Sequence, residues 1–146
     1  MRLRPVICVL VVATAGVVFG APSVSAQRLS PSIPLVANWK ASIHGTSADP
    51  AIRGTAGYTL VAMTPVHRSF GVDLSRAGKY SGRRLAVYLG GRFVGWMRVG
   101  SRGHAHLTRS TGADQLVPSL RKGHFGVGIR TRRGVRVATG RLRLVS

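Results

Sequence analysis

From residue 54 onward, apolar and polar residues alternate at the two-residue period of β-strands, broken at short intervals by glycine. The clearest stretch is Leu85 to Val99. Leu85, Val87 and Leu89 alternate with Ala86 and Tyr88, and Gly90-Gly91 supplies the positive φ that a tight hairpin turn requires. With an unbroken register, Leu85, Val87, Leu89, Val94 and Trp96 share one face and Tyr88, Phe93, Met97 and Val99 the other, so both faces are apolar. Either the pair is covered on both sides or Gly95 marks a bulge that returns Met97 and Val99 to the core. The bulge is preferred, because a domain this small has little with which to cover two faces.

A second hairpin is predicted over Phe125 to Leu144, with Gly134 in the left-handed position of a three-residue turn. That register sets Arg130 opposite Arg136 on the outside. It places Phe125, Val127, Ile129, Val135 and Val137 inside, with Gly140 bringing Leu142 and Leu144 to the core. Further strands are expected over Tyr58 to Met63, Ser69 to Leu74 and His104 to Thr108. This amounts to about seven strands at spacings of roughly ten residues, the pattern of an all-β domain, read as a single immunoglobulin-like β-sandwich.

The chain before residue 54 reads differently. Arg2 and Arg4 precede an apolar run from Pro5 to Gly20, and Val24-Ser25-Ala26 offers small residues for cleavage, as in an export signal. Thr14, Gly16, Gly20 and Pro22 interrupt the run, against a retained membrane helix. The expected organisation is a signal peptide over 1–26, a flexible leader over 27–53 with a short strand near residues 34–40, and the β-domain over 54–146. The mature chain, secreted or periplasmic after cleavage near Ala26, would have no transmembrane segment. Trp39 in the leader is expected to tuck onto a sheet edge. The chain's one cysteine, Cys8, leaves with the signal, which excludes thiol chemistry and cysteine-bound zinc.

Charge changes the picture most. After residue 26 the chain carries 20 basic residues against three acids, Asp49, Asp73 and Asp114, a formal charge of +17. Such an excess points to an anionic polymer or envelope surface as partner.

The spacings Leu85-Ala-Val-Tyr-Leu-Gly-Gly-Arg-Phe-Val-Gly, Gly103-His-Ala-His-Leu, Val117-Pro118 and Gly123, and Val127-Gly-Ile-Arg with Gly134 and Val137-Ala-Thr-Gly140 carry a resemblance. Residues 54–146 resemble a small β-sandwich domain found in exported bacterial proteins of unassigned function. The resemblance implies a sandwich fold and an extracytoplasmic setting, and brings no activity with it.

Two constellations are left for chemistry. Arg130, Arg132, Arg133, Arg136, Arg141 and Arg143 would line the outer face of the last hairpin, where guanidinium groups grip phosphate or carboxylate in pairs. Aromatic side chains that would stack nucleic-acid bases are missing from that hairpin, since Tyr88 and Phe93 lie on the other, so no specific nucleic-acid partner is expected. His104 and His106 project from one strand face and give an alternative, an exported protein holding copper or zinc through imidazoles. No Gly-x-Ser-x-Gly elbow and no paired acids appear, so no enzymatic activity and no cofactor are expected. The reading is an exported, non-enzymatic basic module engaging an anionic envelope component.

Overall fold

A computed structural model of the chain describes residues 35–111 and 117–145. The expected signal peptide and the first part of the expected leader lie outside the described residues. Among those described there are nine strands: β1 (Leu35–Gly45), β2 (Arg53–Ala62), β3 (His67–Ser75), β4 (Arg84–Leu89), β5 (Arg92–Arg98), β6 (Ala105–Ser110), β7 (Gly126–Arg130), β8 (Arg136–Arg141) and β9 (Arg143–Val145). A single 3₁₀ turn, Gly78–Tyr80, is the only helical piece among them. No helix of the described residues is long and apolar enough to cross a membrane.

All nine strands belong to one antiparallel sheet in the order β5-β4-β7-β8-β1-β2-β3-β6, with β9 also on β1. The end strands β5 and β6 approach one another, so the sheet nearly closes into a barrel. The fold is thus all-β as expected, but its strands form one curled sheet rather than seven strands in two sheets. The strand not foreseen as a separate element is β9, while β1 extends well beyond the short strand expected near residues 34–40.

Strand β1 falls in the predicted leader, where the expected short strand proves to be the longest in the sheet. It pairs with β2 from Leu35↔Ala62 to His44↔Arg53 and on its other side with β8 and β9. Its pattern was present in the sequence: Trp39, Ala41 and Ile43 alternate with Lys40, Ser42 and His44, and Pro34 and Pro50 flank the run without entering it. Trp39 does tuck against its neighbours, its ring edge-on to Tyr58 at 5.5 Å and 75°.

Inward-facing residues fill the interior. Ile43, Tyr58, Phe70, Val72, Leu85, Val87, Leu89, Met97, Val127 and Ile129 are all essentially buried. Ile52, Ala77 and Tyr80 close one end, while Val117, Leu120 and Phe125 pack at the other. Tyr58 reaches that second end, where its hydroxyl donates to the Pro118 carbonyl at 3.3 Å.

The bulge predicted in the first hairpin is present. Val87 pairs with Gly95 and Tyr88 with Phe93, leaving Val94 unopposed, and Met97 and Val99 return to the core. Gly90 and Gly91 turn at φ 57° and 81°. In the last hairpin Gly134 is left-handed at φ 83° and Arg130 does face Arg136. Its bulge, however, sits at Val137, because Ile129 pairs with Ala138 and Arg130 with Arg136. Val135, paired with Thr131 at the tip of the hairpin, is exposed, against expectation, and Leu144 is also exposed while Leu142 is buried.

Candidate functional site: a basic face edged with aromatic rings

The pairing β4–β7 decides the outer surface, because it lays the two hairpins side by side. Ala86 pairs with Trp96 on one side and Arg130 on the other; Tyr88 pairs with Phe93 and Gly128. Both rows face outward. Tyr88, Phe93 and Trp96 form an edge-to-face series with centroids 5.7 Å and 5.6 Å apart, and Phe93 and Trp96 are 48% and 42% exposed. The Arg130 guanidinium lies over the Tyr88 ring, 4.8 Å from its centre, while its Nε is buried without a partner. The sequence-based expectation that aromatic rings are absent beside the last hairpin is therefore corrected: separation along the chain concealed an adjacency made by the sheet.

Next to this series lies a hollow of about 880 Å³ lined by Lys79, Arg83, Arg84, Trp96, Arg132 and Arg133, and no carboxylate lines it. Local structure sets these positions. The 3₁₀ turn carries Lys79, the start of β4 carries Arg84, and the β7–β8 turn presents Arg132 and Arg133. Lys79, Arg83 and Arg84 were not among the residues singled out from sequence. The run of Lys79, Arg83, Arg84 before a hairpin was a visible signal, but its proximity to the distant β7–β8 turn was not.

The six predicted arginines do not act as one stripe. Arg132 and Arg133 line this hollow, Arg130 lies over Tyr88, and Arg136 sits across from Arg130. Arg141 and Arg143 line a different hollow, over β1 and its neighbours. Three cross-strand pairs place like charges directly opposite: Arg84 with Arg98, Arg130 with Arg136, and Lys40 with Arg143. Each such pair costs roughly 0.2–1 kcal/mol relative to a neutral one when nothing sits between the charges. Among the described residues the carboxylate of Asp73 contacts the ring of His106, and this contact neutralises none of these cations.

No family model, curated protein or solved structure matches the chain.

His104 and His106 are both exposed and both border a small hollow with Asp73. His106 is already engaged at both ring nitrogens, Nδ1 with Asp73 Oδ1 at 2.5 Å and Nε2 with the Thr108 hydroxyl at 2.7 Å. Among the described residues no group of three or more His, Cys, Asp or Glu side chains could hold a metal ion. The sequence places no carboxylate near this pair; the register partner Asp73↔His106 supplies one across the sheet.

Two tyrosines show environmental shifts. Burial pushes the Tyr58 phenol above its ordinary value, with Arg68 and the Leu120 backbone offsetting part of the effect. Burial also raises Tyr80, helped by the carboxylate of Asp49 and opposed by Arg83.

Proposed function

We infer that the protein is an exported, non-enzymatic binding module whose basic, aromatic-edged face holds an anionic polymer of the cell envelope. The observation that carries this reading is the placement of like charges directly across the sheet at Arg84–Arg98 and Arg130–Arg136, beside a hollow lined by Arg84 and four further cationic positions and no carboxylate. Cations crowded in this way repel one another until an anion lies between them, and arginine forks grip carboxylate, sulfate or phosphate in pairs. The surplus of bases over acids supports the same reading by drawing polyanions from a distance. The resemblance of residues 54–146 to exported bacterial β-domains, and the signal-like start of the chain, support the envelope as the setting.

The test is retention of a long acidic polysaccharide, polygalacturonate, measured from low to high salt. Affinity is expected to fall linearly with the logarithm of salt concentration, since each bound anion releases counterions. Replacing Arg132 and Arg133 by Ala together is expected to lessen that slope by about one to two. Retention that does not change with salt or with these substitutions would sink the reading.

A second reading is favoured by the Tyr88–Phe93–Trp96 series with Arg130 stacked on it. Exposed rings next to cations also accommodate single-stranded nucleic acid, each stacked base contributing about 1–3 kcal/mol. Tighter retention of a mixed-sequence single strand than of polygalacturonate at equal salt would favour it.

A further inference from the structure

Away from this face, the outer surface of β1, β2, β3 and β6 carries a second hollow, of about 1070 Å³. In the sheet order β2 stands four places from β4, so this is a separate part of the outer surface. One outward row crosses five strands as Arg143, Lys40, Gly57, Gly71 and Thr108; the neighbouring row is Ser42, Thr55, Asp73 and His106. The paired glycines make a floor of bare backbone between the charged end and the hydroxyl end.

Packing does not demand those glycines. A Cβ at Gly57 would meet nothing within 4 Å, and one at Gly71 would find only ordinary contacts with Thr108 and Leu107. Glycine weakens a strand interior, and where no crowding explains it the open backbone suits the close approach of a ligand. At one end Lys40, Arg141 and Arg143 supply only donors. At the other, Asp73 Oδ1 holds the His106 ring at Nδ1, and the ring's Nε2 lies 2.7 Å from the Thr108 hydroxyl. Asp73 spends one oxygen on that bond and keeps acceptor capacity, as does Thr108. The trough therefore offers cations on one side and mixed donors and acceptors on the other, over a flat floor.

We propose that this trough is a binding site for an acidic sugar, a hexose ring bearing a carboxylate. The carboxylate goes to Lys40, Arg141 and Arg143, the ring lies on Gly57 and Gly71, and the hydroxyls exchange hydrogen bonds with Asp73, Thr108, Ser42 and Thr55. No Phe, Tyr or Trp side chain lines the trough to stack a nucleobase, and no large apolar side chain lines it to hold a lipid chain. The site is separate from the aromatic-edged face and extends the function to recognition of the sugar itself.

The experiment is calorimetric titration of the full mature chain with trigalacturonate, with neutral cellotriose and a single-stranded oligonucleotide as comparisons. Trigalacturonate is expected to bind and cellotriose not. Gly57→Val fills the trough where space is open, so the fold is retained on thermal melting, and affinity falls at least about tenfold, or 1.4 kcal/mol. Asp73→Asn is expected to weaken binding in the same direction, while Met63→Ala, exposed and outside both hollows, leaves it unchanged. The proposal is overturned if trigalacturonate fails to bind, if Gly57→Val has no effect on its affinity, if cellotriose binds equally well, or if the oligonucleotide displaces it from the trough. Polygalacturonate retention and salt slope left unchanged by replacing Arg132 and Arg133 with Ala, while trigalacturonate still binds, would overturn the aromatic-edged face and leave the trough standing.

Discussion

Gly140 lies against β1 so closely that a Cβ there would come within 2.6 Å of the Ser42 carbonyl oxygen and 2.7 Å of Ile43 Cδ1. The first of these is backbone held in the sheet and cannot swing aside. Gly140→Ala is expected to destabilise by about 1–3 kcal/mol, the usual cost of overpacking, read as a lower urea midpoint with the denaturant slope unchanged. Ile129 is wholly buried, and Ile129→Ala should cost about 2–5 kcal/mol by the same measurement, because it removes packed methyl groups and leaves a cavity. The tyrosines give a pH signature. Tyr58 is raised from an ordinary value of 10.0 by burial, so the folded state favours the neutral phenol. Its contribution is complete below the unfolded value and is lost as pH rises through the higher folded value. Stability is therefore expected to decline in the alkaline range above the ordinary tyrosine value, and Tyr58→Phe should flatten that decline in denaturation curves taken across it. Tyr80, raised in the same direction by burial and Asp49, adds to the slope, so the double substitution with Phe should flatten it further.

Between hairpins the important event is the pairing of β4 with β7, which sets the Tyr88–Phe93–Trp96 series beside Arg130 and Arg136. Each hairpin carries one unopposed valine, Val94 or Val137, and each bulge changes which residues face water downstream. Trp96 is outside because Val94 is extra; without that residue it would share the face of Leu85 and Val87. Charge on these strands gives an opposed pair of effects. Arg98→Glu places a carboxylate opposite Arg84 and converts a repulsive cross-strand pair to an attractive one. It is expected to raise stability by roughly 0.2–1 kcal/mol and to weaken polygalacturonate retention at low salt. A substitution that stabilises the free protein while lowering affinity is what an anion-bridged surface demands. If Arg98→Glu left both quantities unchanged, the crowding of charge would have no bearing on binding.

Across the whole molecule, one curled sheet presents two separate basic regions on its outer surface, the aromatic-edged face and the glycine-floored trough. The sequence by itself determined most of the strands and much of their inward sides, since alternation over residues such as Leu85, Val87 and Leu89 fixes a face wherever a core exists, though not at Val135 or Leu144 near strand ends. It also determined the turns at Gly90-Gly91 and Gly134, because few residues other than glycine adopt positive φ at low cost, and it determined the charge excess. The full length of strand β1, expected only as a short strand near residues 34–40, was also written in the alternation from Trp39 to His44. The tertiary structure alone decided which strands are neighbours. The register between β4 and β7 brought Tyr88 to Arg130, that between β3 and β6 brought Asp73 to His106, and the line of β1, β2 and β3 joined Lys40 to Gly57 and Gly71. Alternation along a strand is a local property of the backbone, whereas strand order depends on how the whole apolar surface is buried at once. Sites assembled across strands therefore become visible only after the sheet has closed around its core.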